Sequence, residues 1–195
     1  MKKTEKTILI ISIIAIFLNF FLVPGGSVLT VMSLSLLAII YFCFGITLFT
    51  NIRLADLFKT ESLKDITTTK IFGVVALGFT LSITVLGILF KLLSWPGAAF
   101  NLGVGVIGLI IIITIGAIKY SNNKSKFYLL IFKRAFFFGG IGLLLLLTPK
   151  STFIDLKYRN HISYANALKN SIADPTNEDL RKTLIEERTK MEQSQ

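Results

Sequence analysis

The stretch "FKLLSWPGAAF", Phe90–Phe100, sets a lysine, the chain's one tryptophan and a Pro-Gly pair between two long apolar runs. Proline fixes φ and has no N–H to give, so it cannot continue the helix before it. Glycine adopts the φ > 0 geometry that reverses a chain within a few residues. A tryptophan sits well at the headgroup level, its ring buried and its N–H solvated. Lys91, one turn below, is expected to snorkel to the same interface. The interruption therefore reads as the cap of a helical hairpin at a membrane surface, with Lys91, Trp95, Pro96 and Gly97 as turn and anchor.

The same cap occurs earlier. "IFLNFFLVPGGSVL" (Ile16–Leu29) aligns without a gap on "ILFKLLSWPGAAFN" (Ile88–Asn101), placing Pro24 and Gly25 on Pro96 and Gly97, 72 residues apart, and Asn19 on Lys91. One hairpin used twice is the reading, over about 7–50 and 71–118. "GIGLLLLLTPKSTF", running into Pro149, is a candidate third and partial copy.

Composition agrees with a membrane location. The 195 residues are 53% hydrophobic and 16% charged, against about 25% charged in a soluble domain. Between Thr7 and Thr148 the acids are Asp56, Glu61 and Asp65, all in one short segment. Runs of this kind cannot form the core of so small a soluble globule, because too little polar surface remains to cover it. Crossing the hydrocarbon takes about 17–25 residues of helix. Five spans are expected: Thr7–Val23, Ser27–Phe49, Ile71–Leu93, Ala99–Ile118 and about 128–148. A cleaved leader is the rival reading of the first run, but "VPGG" is a poor cleavage site and another span follows at once. In the fifth, Lys133 and Arg134 are expected near the interface, snorkelling, with "AFFFGGIGLLLLLT" as the deep part. The predicted fold is all-α: a multi-pass bundle of tandem hairpins (1–148) followed by an extramembrane amphipathic tail (149–195).

Basic residues in short loops set orientation. With the N-terminus inside, the inner segments carry Lys2, Lys3 and Lys6, then Arg53, Lys59, Lys64 and Lys70. Lys119, Lys124, Lys126, Lys133 and Arg134 follow, against Lys91 alone at an outer edge. The expected location is a bacterial inner membrane, N-terminus cytoplasmic and tail extracytoplasmic. The net charge of +10 follows from these flanks and needs no nucleic acid. Membrane lipids, other membrane proteins and self-association are the partners considered.

"GILFKLLSWPGAAFNLGVGVIGLIII", Gly87–Ile112, resembles the N-terminal membrane hairpin of the L protein of the gliding-motility and type IX secretion motor of Bacteroidetes. That family carries a histidine just before the tryptophan, where this chain has Ser94. The resemblance implies a membrane hairpin fold. It also implies coupling of proton flow to rotation with a partner M protein, through an acid inside the membrane. No expected span contains Asp, Glu or His, Glu5 being read as part of the basic tail "MKKTEK". The resemblance therefore carries over the fold and not the motor function.

Other chemistry is sparse. Gly103, Gly105 and Gly108 with Ala99, and Gly78 with Ser82, form small-residue seams for close helix packing. Scattered Ser, Thr and Asn residues offer little for the midplane pathway of a small transporter, the second alternative. Cys43 cannot form an internal disulfide. His161 stands apart from any metal-ligand spacing, so no cofactor, metal or catalytic residue is expected and the chain reads as a non-enzyme. In the tail, Thr152 with Asp155 reads as a capping box. Ile154, Tyr158, Ile162, Ala165, Leu168 and Ile172 read as one apolar stripe, with Tyr158, Ile162 and Leu168 available to dock a partner. Asp174 is expected to cap a second helix over about 175–192. The leading functional reading is a structural or accessory interaction protein, ahead of a component linked to the motor.

Overall fold

The computed structural model describes residues 2–50 and 67–193, and every element among them is a helix. Asp56, Glu61, Asp65, Arg53, Lys59 and Lys64 lie outside the described residues. Two compact units divide at residues 147 and 148. The first holds α1 (Lys2–Phe20), α2 (Gly26–Thr50), α3 (Thr68–Leu92), α4 (Ala98–Asn123) and α5 (Lys126–Leu147). The last four are long and apolar enough to cross a membrane, and the chain is an integral, multi-pass membrane protein. The first expected span differs. Its helix takes in the charged residues of "MKKTEK", and the apolar part that follows is short for a crossing.

The two hairpin turns share one backbone. Leu22 and Ser94 both lie in the left-handed region, at φ 57° and 58°, and Gly25 and Gly97 are both at φ 81°. The hydrogen bonds repeat at the same 72-residue offset. Leu22 N–H donates to the Asn19 carbonyl and Val23 N–H to that of Leu18; Ser94 N–H donates to Lys91 and Trp95 N–H to Phe90. This is a Schellman motif; it ends each helix four residues before the proline, with the left-handed residue two before it. The Trp95 ring packs edge-on against Phe90 at 5.4 Å, which is the apolar contact that accompanies such a cap. The third copy is not realised. Beyond the two hairpin turns, Lys124 alone has a positive φ among the described residues, and Pro149 simply precedes the next helix at φ −58°.

Because Ser94 bears a Cβ in a left-handed position, Ser94→Gly is expected to raise stability by up to about 1 kcal/mol. Gly97→Ala is expected to lower it by about 1–2 kcal/mol through backbone strain alone, since a Cβ there meets nothing within 4 Å. Thermal unfolding of both variants in detergent checks the two signs.

Neighbours in sequence pack as neighbours in space, and α3 touches α2, α4 and α5. It is the central helix: 56% of its apolar window is buried, against 22–44% in the other three. The closest approaches run through missing side chains. A Cβ on Gly78 would lie 2.5 Å from the Tyr41 carbonyl oxygen, and Gly45 faces Gly78 across the same α2–α3 crossing. Between Tyr41 and Gly45 pairing, α2 kinks at Phe44 (φ −118°, ψ 18°). The Thr47 hydroxyl, buried three residues later, has no hydrogen-bond partner among the described residues. The kink falls where Thr47 would otherwise find its i−4 acceptor, as Thr30 does at the Gly26 carbonyl.

The second unit contains α6 (Lys150–Lys157), α7 (Ile162–Ala173) and α8 (Glu178–Gln193). The expected single stripe from Ile154 to Ile172 is broken, because the chain turns between Tyr158 and His161. Thr152 does not cap: α6 begins after Pro149 without a side-chain cap, and Asp155 instead pairs with Lys169 on α7 at 2.7 Å. Asp174 is displaced from its expected role as well. Its Oδ1 accepts from Thr176 N–H and hydroxyl, while Asn177 Oδ1 accepts from the N–H groups of Asp179 and Leu180 at the start of α8. Asn177→Ala is therefore expected to cost about 0.5–2 kcal/mol of helix stability, read as faster hydrogen exchange through the first turns of α8.

Candidate functional site

The buried face of α1 is made of Glu5, Ile8, Ser12, Ala15 and Asn19, spaced by three and four residues. Its large apolar residues, Ile10, Ile13, Ile14 and Phe17, point outward. Polar and small residues inside with apolar residues outside is the arrangement lipid selects, since the bundle interior offers hydrogen-bond partners and the hydrocarbon offers none. This face delivers Glu5 into the bundle at 7% exposure.

There Glu5 meets Arg134 of α5. Arg134 Nε donates to Oε1 at 2.6 Å and Nη2 to Oε2 at 2.5 Å, a two-pronged pair. The hydroxyl of Tyr41, on α2 and fully buried, donates to the same Oε1 at 2.8 Å. The Arg134 guanidinium lies 4.9 Å over the Phe49 ring, and the Tyr41 ring packs edge-on against Phe138 at 5.4 Å. Three helices thus contribute one anion, one cation and one hydroxyl to a closed set, with aromatic rings around it. Arg134 does not snorkel outward as expected; its neighbour Lys133 is the exposed one.

Depth follows from helix geometry. At about 1.5 Å per residue, Glu5 lies about 22 Å from the Phe20 end of α1, Tyr41 about 22 Å from the Gly26 end of α2, and Arg134 about 20 Å from the Leu147 end of α5. The three agree on one level. With the hairpin turns at one membrane surface, that level falls inside a hydrocarbon layer of about 30 Å, nearer its other face. Ionisable groups at such depth are costly and need partners.

The small-residue seams are only partly where the sequence places them. Gly78 faces the Tyr41 carbonyl, Gly105 packs on Thr84 and Gly108 on Thr80, drawing α3 against α2 and α4. Ser82 is buried on α3. Ala99 is exposed and a Cβ on Gly103 would meet nothing within 4 Å, so these two lie off the α3–α4 contact. Pro24, Gly25, Pro96 and Gly97 are at the turns and Trp95 is 42% exposed. Lys91 is 5% exposed, enclosed by protein in place of lying along the outer surface. In the second unit Tyr158 stacks edge-on with Tyr164 at 4.8 Å, Ile162 is exposed and Leu168 half-buried. Burial there pushes the Lys157 ammonium down to about 8 and the Tyr158 phenol upward. Among the described residues no three His, Cys, Asp or Glu side chains gather as a metal set.

The cluster draws together Glu5, Tyr41 and Arg134, none of which the sequence reading selected as a site. The signal was present in α1, where Ser12, Ala15 and Asn19 are all the small or polar residues of Ile8–Phe20 and their 3,4 spacing, continued back through Ile8, reaches Glu5. No family model matches the chain, and neither a curated protein nor a solved structure matches it.

Proposed function

We propose that the chain is a non-enzymatic interaction protein of a bacterial inner membrane, its bundle a rigid platform and its tail the part that docks a partner. In this reading the N-terminus is cytoplasmic and the tail extracytoplasmic. The observation that carries it is how the polar groups of the bundle are used. Ser12, Thr30, Ser33, Thr80, Thr84 and Thr114 donate to their own helix carbonyls, and Glu5, Tyr41 and Arg134 close on one another. Among the described residues these hydroxyls are spent within their own helices and the charged pair on itself, which leaves no line of them along a pathway.

One observation favours a second reading, a component linked to the gliding or secretion motor. Glu5 is an acid within the bundle, the residue type whose absence from the expected spans had argued against that function. A carboxylate relays protons only when freed from its cation, so this reading requires Arg134 to let go during the cycle.

Affinity purification of the tagged protein from its host in mild detergent, with mass spectrometry, tests both. Motor or secretion components that disappear when residues 149–195 are deleted would support the second reading. Other membrane partners lost with the same deletion would support the first, and recovery of the protein alone as a defined oligomer would sink both. A reporter fused to the C-terminus and active only in the cytoplasm would overturn the orientation.

A further inference from the structure

We propose that the groove between the first turns of α3, the last turns of α4 and the first turns of α5 holds an anionic phospholipid of the surrounding membrane. The groove has a volume of about 250 Å³ and walls from Phe72, Ile112, Ile115 and Ile131. Small side chains help to make room for it: Gly73 and Ala76 on α3 and Gly116 on α4 all line it. Among the described residues a Cβ on Gly73 would meet nothing within 4 Å, so the cleft is open beside it. At its mouth stand Lys70, exposed on the third residue of α3, and Lys119, half-buried in the last turns of α4.

Because α3 and α4 are antiparallel, the start of one and the end of the other lie at the same end of the pair, and at about 1.5 Å per residue Lys70 and Lys119 stand about 32 Å along their helices from the hairpin turn, about the thickness of the hydrocarbon layer. Among the described residues no carboxylate lines the groove. The volume is below the roughly 300–1,000 Å³ of a site for a whole drug-sized molecule, so it takes a length of one acyl chain. An apolar cleft between membrane helices with two cations at its polar end complements an acyl chain joined to a phosphate. Charge complementarity thus selects the occupant: a zwitterionic lipid fits the cleft but places its own cation beside two lysines.

The test uses the full-length protein in mild detergent, titrated with phosphatidylglycerol or phosphatidylcholine and followed by native mass spectrometry. The wild-type protein is expected to retain phosphatidylglycerol in preference. Lys70→Gln with Lys119→Gln is expected to weaken that retention by about fivefold per lysine, from the attraction of one basic side chain to an anionic lipid. Lys124→Gln, at the same membrane face and outside the groove, is expected to leave it unchanged. Gly73→Leu, which fills open space and so keeps the fold, is expected to abolish retention of both lipids. Equal retention by the double variant, or an equal loss in Lys124→Gln, would overturn the site in favour of a diffuse surface charge. Competition by glycerol phosphate as effective as the whole lipid would overturn it in favour of a free-phosphate site. A lipid-independent dimer broken by Gly73→Leu would overturn it in favour of a second copy of the chain.

Discussion

Arg134→Ala is expected to lower the stability of the bundle by about 3–5 kcal/mol, because it leaves the Glu5 carboxylate buried with only the Tyr41 hydroxyl to balance it. Glu5→Ala should cost a similar amount by stranding the guanidinium. The informative variant is the pair: Glu5→Leu with Arg134→Met removes both charges and is expected to recover most of the loss. The reason is that a buried pair gains little over apolar side chains of similar volume once desolvation is counted, whereas half a pair is strongly unfavourable. Tyr41→Phe, which removes one hydrogen bond to a charged acceptor, should cost about 1.5–3 kcal/mol. Denaturant unfolding in detergent, followed by circular dichroism across the four variants, reads these values. Single losses under about 1 kcal/mol would mean the pair is hydrated, as exposed ion pairs are, and that α1 is held by α2 alone.

Gly78→Leu is expected to be the most damaging apolar substitution in the bundle, at about 3 kcal/mol or more. The first atom it adds falls 2.5 Å from the Tyr41 carbonyl oxygen, and backbone cannot step aside as a flexible side chain can. Helices α2 and α3 would have to separate at their closest crossing, beside the Phe44 kink, and Tyr41 would be carried away from Glu5. Gly78→Ala should cost about 1–3 kcal/mol, in the range of ordinary overpacking. Gly103→Leu, on the neighbouring helix, should change stability by less than about 0.5 kcal/mol, because a Cβ there meets open space. The same unfolding assay ranks the three. A Gly103 effect as large as that of Gly78 would contradict the packing described for α3 and α4.

The effects of Gly78 and Arg134 meet at Tyr41, which has its carbonyl against α3 and its hydroxyl on Glu5. Substitutions at Gly78 and Arg134 are therefore expected to be non-additive, a coupling of at least about 0.5 kcal/mol through the shared residue. That arrangement ties the platform's central packing to its one described buried acid, and both functional readings depend on it. As a scaffold the cluster fixes helix register; as a motor component it is the part that would have to open.

Sequence alone determined the all-α membrane architecture and the two hairpin turns. Apolar run length, the paired Pro-Gly sites and the 72-residue offset are local properties, and a turn's backbone is set by the few residues within it. It also marked Gly78, Gly105 and Gly108, since small residues in membrane helices permit close approach wherever they occur. Which of them meet a neighbour is a matter of helix rotation, and only the tertiary structure decided that Gly103 and Ala99 turn away. The same holds for charge. Glu5 read by itself belongs to a lysine-rich tail, and Arg134 read by itself belongs to an interface, because snorkelling outward is the cheapest fate for a lone cation. Their pairing spans 129 residues of chain and three helices. In the tail, local spacing suggested one stripe and the wrong caps, and the turn at Tyr158–His161 and the Asp155–Lys169 contact came from packing. Local rules fix where a helix starts and which residues hydrocarbon tolerates. The energy of a buried charge depends on what stands across from it, and that is settled only when the helices assemble.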